Sequence, residues 1–138
     1  MFIPKKVKHR KWNKGRNRGR AFDTRGVSLN YGTYGLKAEG SAWIDSRQLE
    51  SCRRAIMRIM QKGGKIWMRV FPDKPVTKKP PEVTLGGGKG AVDHYVFPVR
   101  AGRILFEIDG VSEEIAKKAF KMASYKLPIK VRVVKSEK

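Results

Sequence analysis

Gly86-Gly87-Gly88-Lys89-Gly90 is the segment whose residue types come nearest to a reaction motif. Glycines around one lysine remove side chains, so backbone N–H groups can approach a phosphate or a base closely. A nucleotide-hydrolysing loop of the Walker type needs G-x-x-x-x-G-K-[ST]. Here Gly88-Lys89 is followed by Gly90, and Val83 stands where the first glycine belongs. The spacing supports contact with an anion and argues against nucleotide hydrolysis. Other chemistry has little to work with. Cys52 is the one cysteine, so it has no internal disulfide partner, and His9 and His94 are too far apart in sequence for a zinc cage of the usual spacing. His94 has no nucleophile placed with it by motif, and the carboxylates do not recur as an acid/base pair. No catalytic residue, metal or cofactor is expected.

Charge is the second chemical fact. Thirty-two Lys and Arg stand against twelve Asp and Glu, giving +20 and a pI near 10.5. So much like charge opposes compaction unless a polyanion relieves it. Nucleic acid fits, because each neutralised phosphate releases condensed counterions. The plainer reading is a solvated basic surface, but such surfaces usually mix both signs. Residues 1–20 carry nine bases and no acid: Lys5, Lys6, Lys8, Arg10, Lys11, Lys14, Arg16, Arg18 and Arg20. This stretch cannot bury enough apolar surface to fold alone. It reads as a tail that orders on RNA, with a disordered solubilising tail as the alternative. Trp12 and Phe22 would serve as stacking faces or as packing anchors.

The elements that position these groups follow from periodicity. The 138 residues suit one domain, expected at 25–138 behind a basic extension over 1–24. No apolar run is long enough for a membrane span, and the start lacks an apolar signal-type stretch, so a cytosolic protein is expected. Short strands are expected at Val27–Tyr31, Tyr34–Ala38 and Ala42–Ile44. Asp45 to Lys62 reads as a helix, opened by a capping box with Gln48 and ended by Gly63-Gly64. Its inward face is Leu49, Cys52, Ile56, Ile59 and Met60, and Arg47, Arg54, Arg58 and Lys62 stripe the opposite side. That stripe reads equally as a wet face or as a phosphate contact, with Glu50 available to Arg54 at i,i+4.

Lys65–Phe71 alternates as a strand, and a strand pair at His94–Val99 and Arg103–Asp109 joins across Ala101-Gly102. Ser112 caps a second helix, Glu113–Lys126, with Ile115, Ala119, Phe120 and Ala123 inward. A last strand runs through Ile129, Val131 and Val133. Glu107, Asp109, Glu113 and Glu114 form an acidic pole expected to face solvent or another protein. The order describes an α+β fold, two helices on a mixed or antiparallel sheet.

Residues 72–91 show neither period. Loops of that length inside a domain tend to be functional or disordered. Pro72, Pro75, Pro80 and Pro81 stiffen the first half, with Lys74, Lys78 and Lys79 between them. The preferred reading is a stiff-based finger that inserts a small positive tip into a crowded RNA site, and the alternative is a floppy linker.

Several stretches, taken together, are similar to the bacterial large-subunit ribosomal protein L-sixteen family. They are PKK at Pro4–Lys6, HRKWNKGRNRG at His9–Gly19, GTYGLKA at Gly32–Ala38, GKIWMRVFPDKP at Gly64–Pro75, GKG at Gly88–Gly90 and KLPIK at Lys126–Lys130. The match runs nearly end to end and in order. The resemblance implies an α/β-hammerhead-type fold and a non-catalytic place in the large subunit beside the aminoacyl-tRNA site. It also implies late entry into subunit assembly, contact with tRNA, and a loop, here Pro80–Ala91, that reaches toward the peptidyl-transferase centre. Thr84 stands where some bacterial members carry a hydroxylated arginine, so that modification is unavailable here. Gly87 stands where a lysine is common, which throws more weight on Lys89.

The expected partners are large-subunit rRNA, tRNA in the aminoacyl site and neighbouring ribosomal proteins, with no membrane and no homo-oligomer. The expected location is the cytoplasmic ribosome, an organellar ribosome being left open. The expected rRNA contacts are Lys5, Lys6, Lys8, Arg10, Lys11, Trp12, Lys14, Arg16, Arg18, Arg20, Arg47, Arg54, Arg58, Lys74, Lys78 and Lys79. The expected tRNA-facing loop residues are Thr84, Gly86, Gly87, Gly88, Lys89 and Gly90. The alternative function is a free nucleic-acid-coating protein with no preference for the ribosome.

Overall fold

The computed structural model describes residues 2–15 and 22–137. Seven strands and two helices follow one another as β1 (Tyr34–Ala38), β2 (Ala42–Asp45), α1 (Ser46–Met60), β3 (Lys65–Met68), β4 (Lys74–Thr77), β5 (Val92–Val99), β6 (Ile104–Asp109), α2 (Glu113–Ser124) and β7 (Val131–Lys135). They form a four-stranded sheet, β3-β6-β1-β7, and a three-stranded sheet, β2-β5-β4, with every strand pairing antiparallel. The fold is α+β, as expected.

Helix α1 starts as its sequence requires. The Asp45 carboxylate accepts from the Gln48 backbone N–H at 2.8 Å, and the Gln48 side chain accepts from the Asp45 N–H at 3.1 Å, which completes the capping box. The helix stops at Gln61, whose φ of 57° breaks it before the glycine pair. Leu49, Cys52, Ile56 and Met60 are buried on one stripe, with Ile59 half-buried beside them. Burial pushes the Cys52 thiol up to about 12 and so keeps it protonated. Helix α2, capped by the Ser112 hydroxyl, buries Ala116, Ala119, Phe120 and Ala123. Ala116, not Ile115, faces inward. Small residues here let α2 pack closely on α1, so that the Cys52 thiol reaches the Ala123 carbonyl at 3.5 Å, and Ile115 is left outside. The core between helices and sheets is completed by Leu36, Ile44, Val99, Leu105, Phe106 and Ile108.

Four further expectations are corrected. Residues 27–31 form no strand; at the segment's end the Asn30 and Tyr31 N–H groups donate to the Glu107 carboxylate instead of to a neighbouring strand. The stretch 72–91 is not one loop. Lys74–Thr77 pairs with β5, Pro75 lying opposite Tyr95. Since β4 is an edge strand, one side needs no ladder donors, and a proline is tolerated there. The finger is therefore a hairpin whose pairing continues to Lys78 N–H and Ala91 O at 3.2 Å.

The strands on either side of Ala101-Gly102 are consecutive but not partners, and the first begins at Val92. β5 belongs to the small sheet and β6 to the large one. Gly102, with φ 98°, turns the chain between the sheets, and its N–H donates to Ala38 O at 2.7 Å. The acidic pole also breaks up. Glu107 on β6 is fully buried, while Asp109, Glu113 and Glu114 remain at the surface.

Candidate nucleic-acid interface

The small sheet brings the basic N-terminal segment and the finger together. Residues 2–15 contain neither helix nor strand, yet they lie along the body. Phe2 packs edge-on against Phe71, ring centroids 6.4 Å apart. Further along, the Lys11 ammonium donates to the Lys89 carbonyl at 3.2 Å, and the Lys89 ammonium donates to the Trp12 carbonyl. The Lys74 ammonium donates to the Lys14 carbonyl at 2.7 Å and sits 4.5 Å from the centre of the Trp43 ring. A cation over a tryptophan face is a favourable contact of about 0.5–2 kcal/mol. Trp12, Lys14, Trp43, Lys74, Pro75 and Lys89 thus line one cleft of about 440 Å³. These groups come from four separate stretches of sequence. Ammonium groups spent on carbonyls keep their charge, so the cleft stays strongly positive.

The finger projects from this root. Lys79 donates to Gly86 O at 2.8 Å and closes the bend. Gly86, Gly87 and Gly88 all have φ between 74° and 110°, and a Cβ added at any of them would meet nothing within 4 Å. Glycine here answers backbone conformation, not crowding inside the chain. Thr84 and Lys89 are exposed, Gly90 is half-buried against Lys78 and Lys79, and Leu85 is 96 % exposed. A single exposed leucine is ordinary on a soluble protein, but this one sits beside the glycine run near the end of the finger. Sequence reasoning passed over it, although an apolar residue abutting the glycine run is the signal.

The remaining expected contacts divide. Lys5, Lys6, Lys8 and Arg10 are exposed, while Arg16, Arg18 and Arg20 lie outside the described residues. Arg47 belongs to the finger side: its charge and that of Lys78 act on Asp93, whose carboxyl is held below its ordinary range first by the His94 hydrogen bond and then by these cations. Arg54 and Arg58 lie further along α1, in a groove with Lys126 and Met122 from the α2 side. Glu50 pairs with Arg54 at 3.0 Å and also with Arg53 at 2.5 Å, the second partner unforeseen, and its carboxyl is held at about 2 chiefly by the Arg53 hydrogen bond. The stripe is thus split between two surfaces.

A small antiparallel α+β body, a basic arm lying along it and a glycine-tipped hairpin at the arm's end define a class: small cationic proteins suited to a phosphate-rich surround. The profile of the family described as ribosomal protein L16p/L10e matches residues 4–134. The chain is 53 % identical to the large ribosomal subunit protein uL16c of Cyanidium caldarium, over 99 % of this chain and 96 % of that protein. It is 50 % identical to the large ribosomal subunit protein uL16 of Exiguobacterium sibiricum, over 99 % of this chain and 93 % of the relative. The chain belongs to the L16p/L10e family of ribosomal proteins.

Proposed function

We propose that the chain is a non-catalytic constituent of the large ribosomal subunit that binds its rRNA and helps organise the aminoacyl-tRNA site. The observation that carries this is the union of arm and finger root: Lys14, Lys74 and Lys89 converge with Trp12 and Trp43 on one cleft, and Lys11 ties the arm to Lys89 beside it. Cations and flat rings together suit RNA, whose phosphates take the charge and whose unstacked bases take the rings. The finger, small and cationic at its tip, would meet tRNA, and the arm would thread between RNA helices. That its relatives are large ribosomal subunit proteins supports the same assembly.

The experiment is a salt titration of the chain against its large-subunit rRNA, alongside sedimentation of the endogenous protein with the subunit in high salt. Six or more phosphate contacts predict a log–log slope steeper than about −4 to −5. A flat slope would end this reading. Equal affinity for any RNA, with loss from the subunit, would favour the free coating protein.

A further inference from the structure

Away from the arm and finger, the edge of the large sheet carries a second arrangement of rings and charge. Trp67 and Arg69 are two residues apart and so share one face of the segment that begins with β3. Tyr31 lies across both: its ring stacks on Trp67 with centroids 6.1 Å apart and planes 21° from parallel, and the Arg69 guanidinium is 5.3 Å from its centre. Tyr31 is nevertheless 60 % exposed. Its position is built from beneath. Glu107 Oε1 accepts the backbone N–H groups of Asn30, Tyr31 and Gly32 at 2.9, 3.1 and 3.2 Å, while Oε2 holds Arg69 at 2.5 Å. A buried carboxylate is thus used to fix the peptide that presents an exposed aromatic ring.

Beside the rings opens a cleft of about 490 Å³, lined by Tyr31, Trp67, Lys65, Asp109, Gly64 and Gly110. Its backbone wall is tight: a Cβ on Gly110 would come 2.9 Å from the Gly64 Cα, and one on Gly64 would strike the Asp109 carbonyl. Asp109 Oδ1 accepts from the Thr33 hydroxyl at 2.6 Å and from the Gly110 N–H at 2.9 Å, which orients the carboxylate.

We propose that this cleft receives one unpaired RNA base, preferentially guanine, stacked against the Tyr31–Trp67 pair with its N1–H and N2–H edge toward Asp109. The proposal rests on the RNA-binding reading above and adds a separate contact to it. A carboxylate beside RNA is repelled by phosphates, and is tolerated where it meets N–H donors. Guanine offers two adjacent donors on its Watson–Crick edge, whereas adenine and cytosine offer one amino group and uracil one imino group. Lys65, exposed at the cleft mouth, suits the flanking phosphate. Exposed rings with a face to spare are the usual platform for a splayed base.

The test uses the full chain with Trp12→Phe and Trp43→Phe, which leaves Trp67 as the one tryptophan. It is titrated with hexauridylate and with hexauridylates carrying a single central G, A or C. The expected result is quenching of Trp67 and binding of the G hexamer at least about fivefold tighter than the A, C or U hexamers. Asp109→Asn should remove the preference for G over A. Tyr31→Leu, which keeps apolar cover at an exposed position, should weaken all hexamers at this site while leaving the salt slope for large-subunit rRNA unchanged, since no phosphate contact is removed. Equal affinity for the four hexamers, or Trp67 emission that no hexamer changes, would overturn the proposal. So would cross-links from position 31 in the assembled subunit that run only to a neighbouring protein. A chain that prefers G but shows no salt-dependent rRNA binding would sink the broader function and leave this site standing.

Discussion

Arg69 Nη1 stands 2.5 Å from Glu107 Oε2, and that carboxylate is 0 % exposed in the middle of β6. Removing two charges from water is costly, and the cost is recovered only when the remaining lone pairs are also satisfied. Here they are, by three consecutive backbone N–H groups from residues 30–32. The pair therefore joins three parts of the molecule: β6, the segment after β3, and the loop leading into β1. It also explains why Val27–Tyr31 fails to become a strand, since the end of that segment is bonded to a side chain.

Replacing Arg69 by Met should strand the Glu107 carboxylate in the interior and cost about 3–5 kcal/mol. Urea unfolding of the two proteins measures it. The double variant with Glu107→Gln should be less destabilised than the sum of the singles, because the uncompensated charge is gone.

The same group sets an acid limb. Burial pushes the Glu107 pKa up, but the Arg69 hydrogen bond and the three N–H groups outweigh it and leave the native value below the ordinary range. Its stabilising contribution is thus complete above the unfolded value of about 4.3 and disappears as pH falls through the native one. Unfolding free energy followed from pH 7 down to pH 2 should drop, and Glu107→Gln should flatten that drop.

Ile56, fully buried on the inward face of α1, should cost about 2–5 kcal/mol on truncation to alanine. Equal denaturation midpoints for the variant and the parent chain would mean that α1 does not face the core with this stripe.

In the proposed role, the arm and finger root act on RNA through charge. Changing Lys11, Lys14, Lys74 and Lys89 together to alanine should make the salt slope for rRNA shallower by about 3–4 if each meets one phosphate. The body should stay folded with a melting temperature lowered by only a few degrees, because the losses are the Lys74 contact with the Trp43 ring and the carbonyl bonds that hold the arm. Adding Arg16→Ala, Arg18→Ala and Arg20→Ala should weaken assembly into subunits further with the body still folded.

Gly88→Trp tests the finger. The position has φ 101°, unfavourable for a side chain, but the tip is in open space and free to readjust. Melting should shift little, while reconstituted subunits should accept aminoacyl-tRNA more slowly. Translation at the parent rate would count against a tip that works in a confined site.

Local rules were readable in the sequence wherever the deciding interaction is itself local. The Asp45–Gln48 box, the Leu49–Cys52–Ile56–Met60 stripe and the Ser112 cap each depend on residues three or four apart, so spacing alone announces them. One-signed charge likewise pointed to a polyanionic partner without any fold. What required tertiary structure are the relationships across long stretches of chain. Pro75 hides β4 from any propensity argument, and only the edge position beside β5 makes that strand affordable. Glu107 reads as one acid in a surface cluster until Asn30, Tyr31, Gly32 and Arg69 close around it. Lys11 meets Lys89, and Tyr31 meets Trp67, because antiparallel pairing and a sheet-switching turn bring distant segments together. A pattern in sequence records periodicity, whereas burial and long-range contact are properties of the folded chain, and those decided where its charges and rings converge.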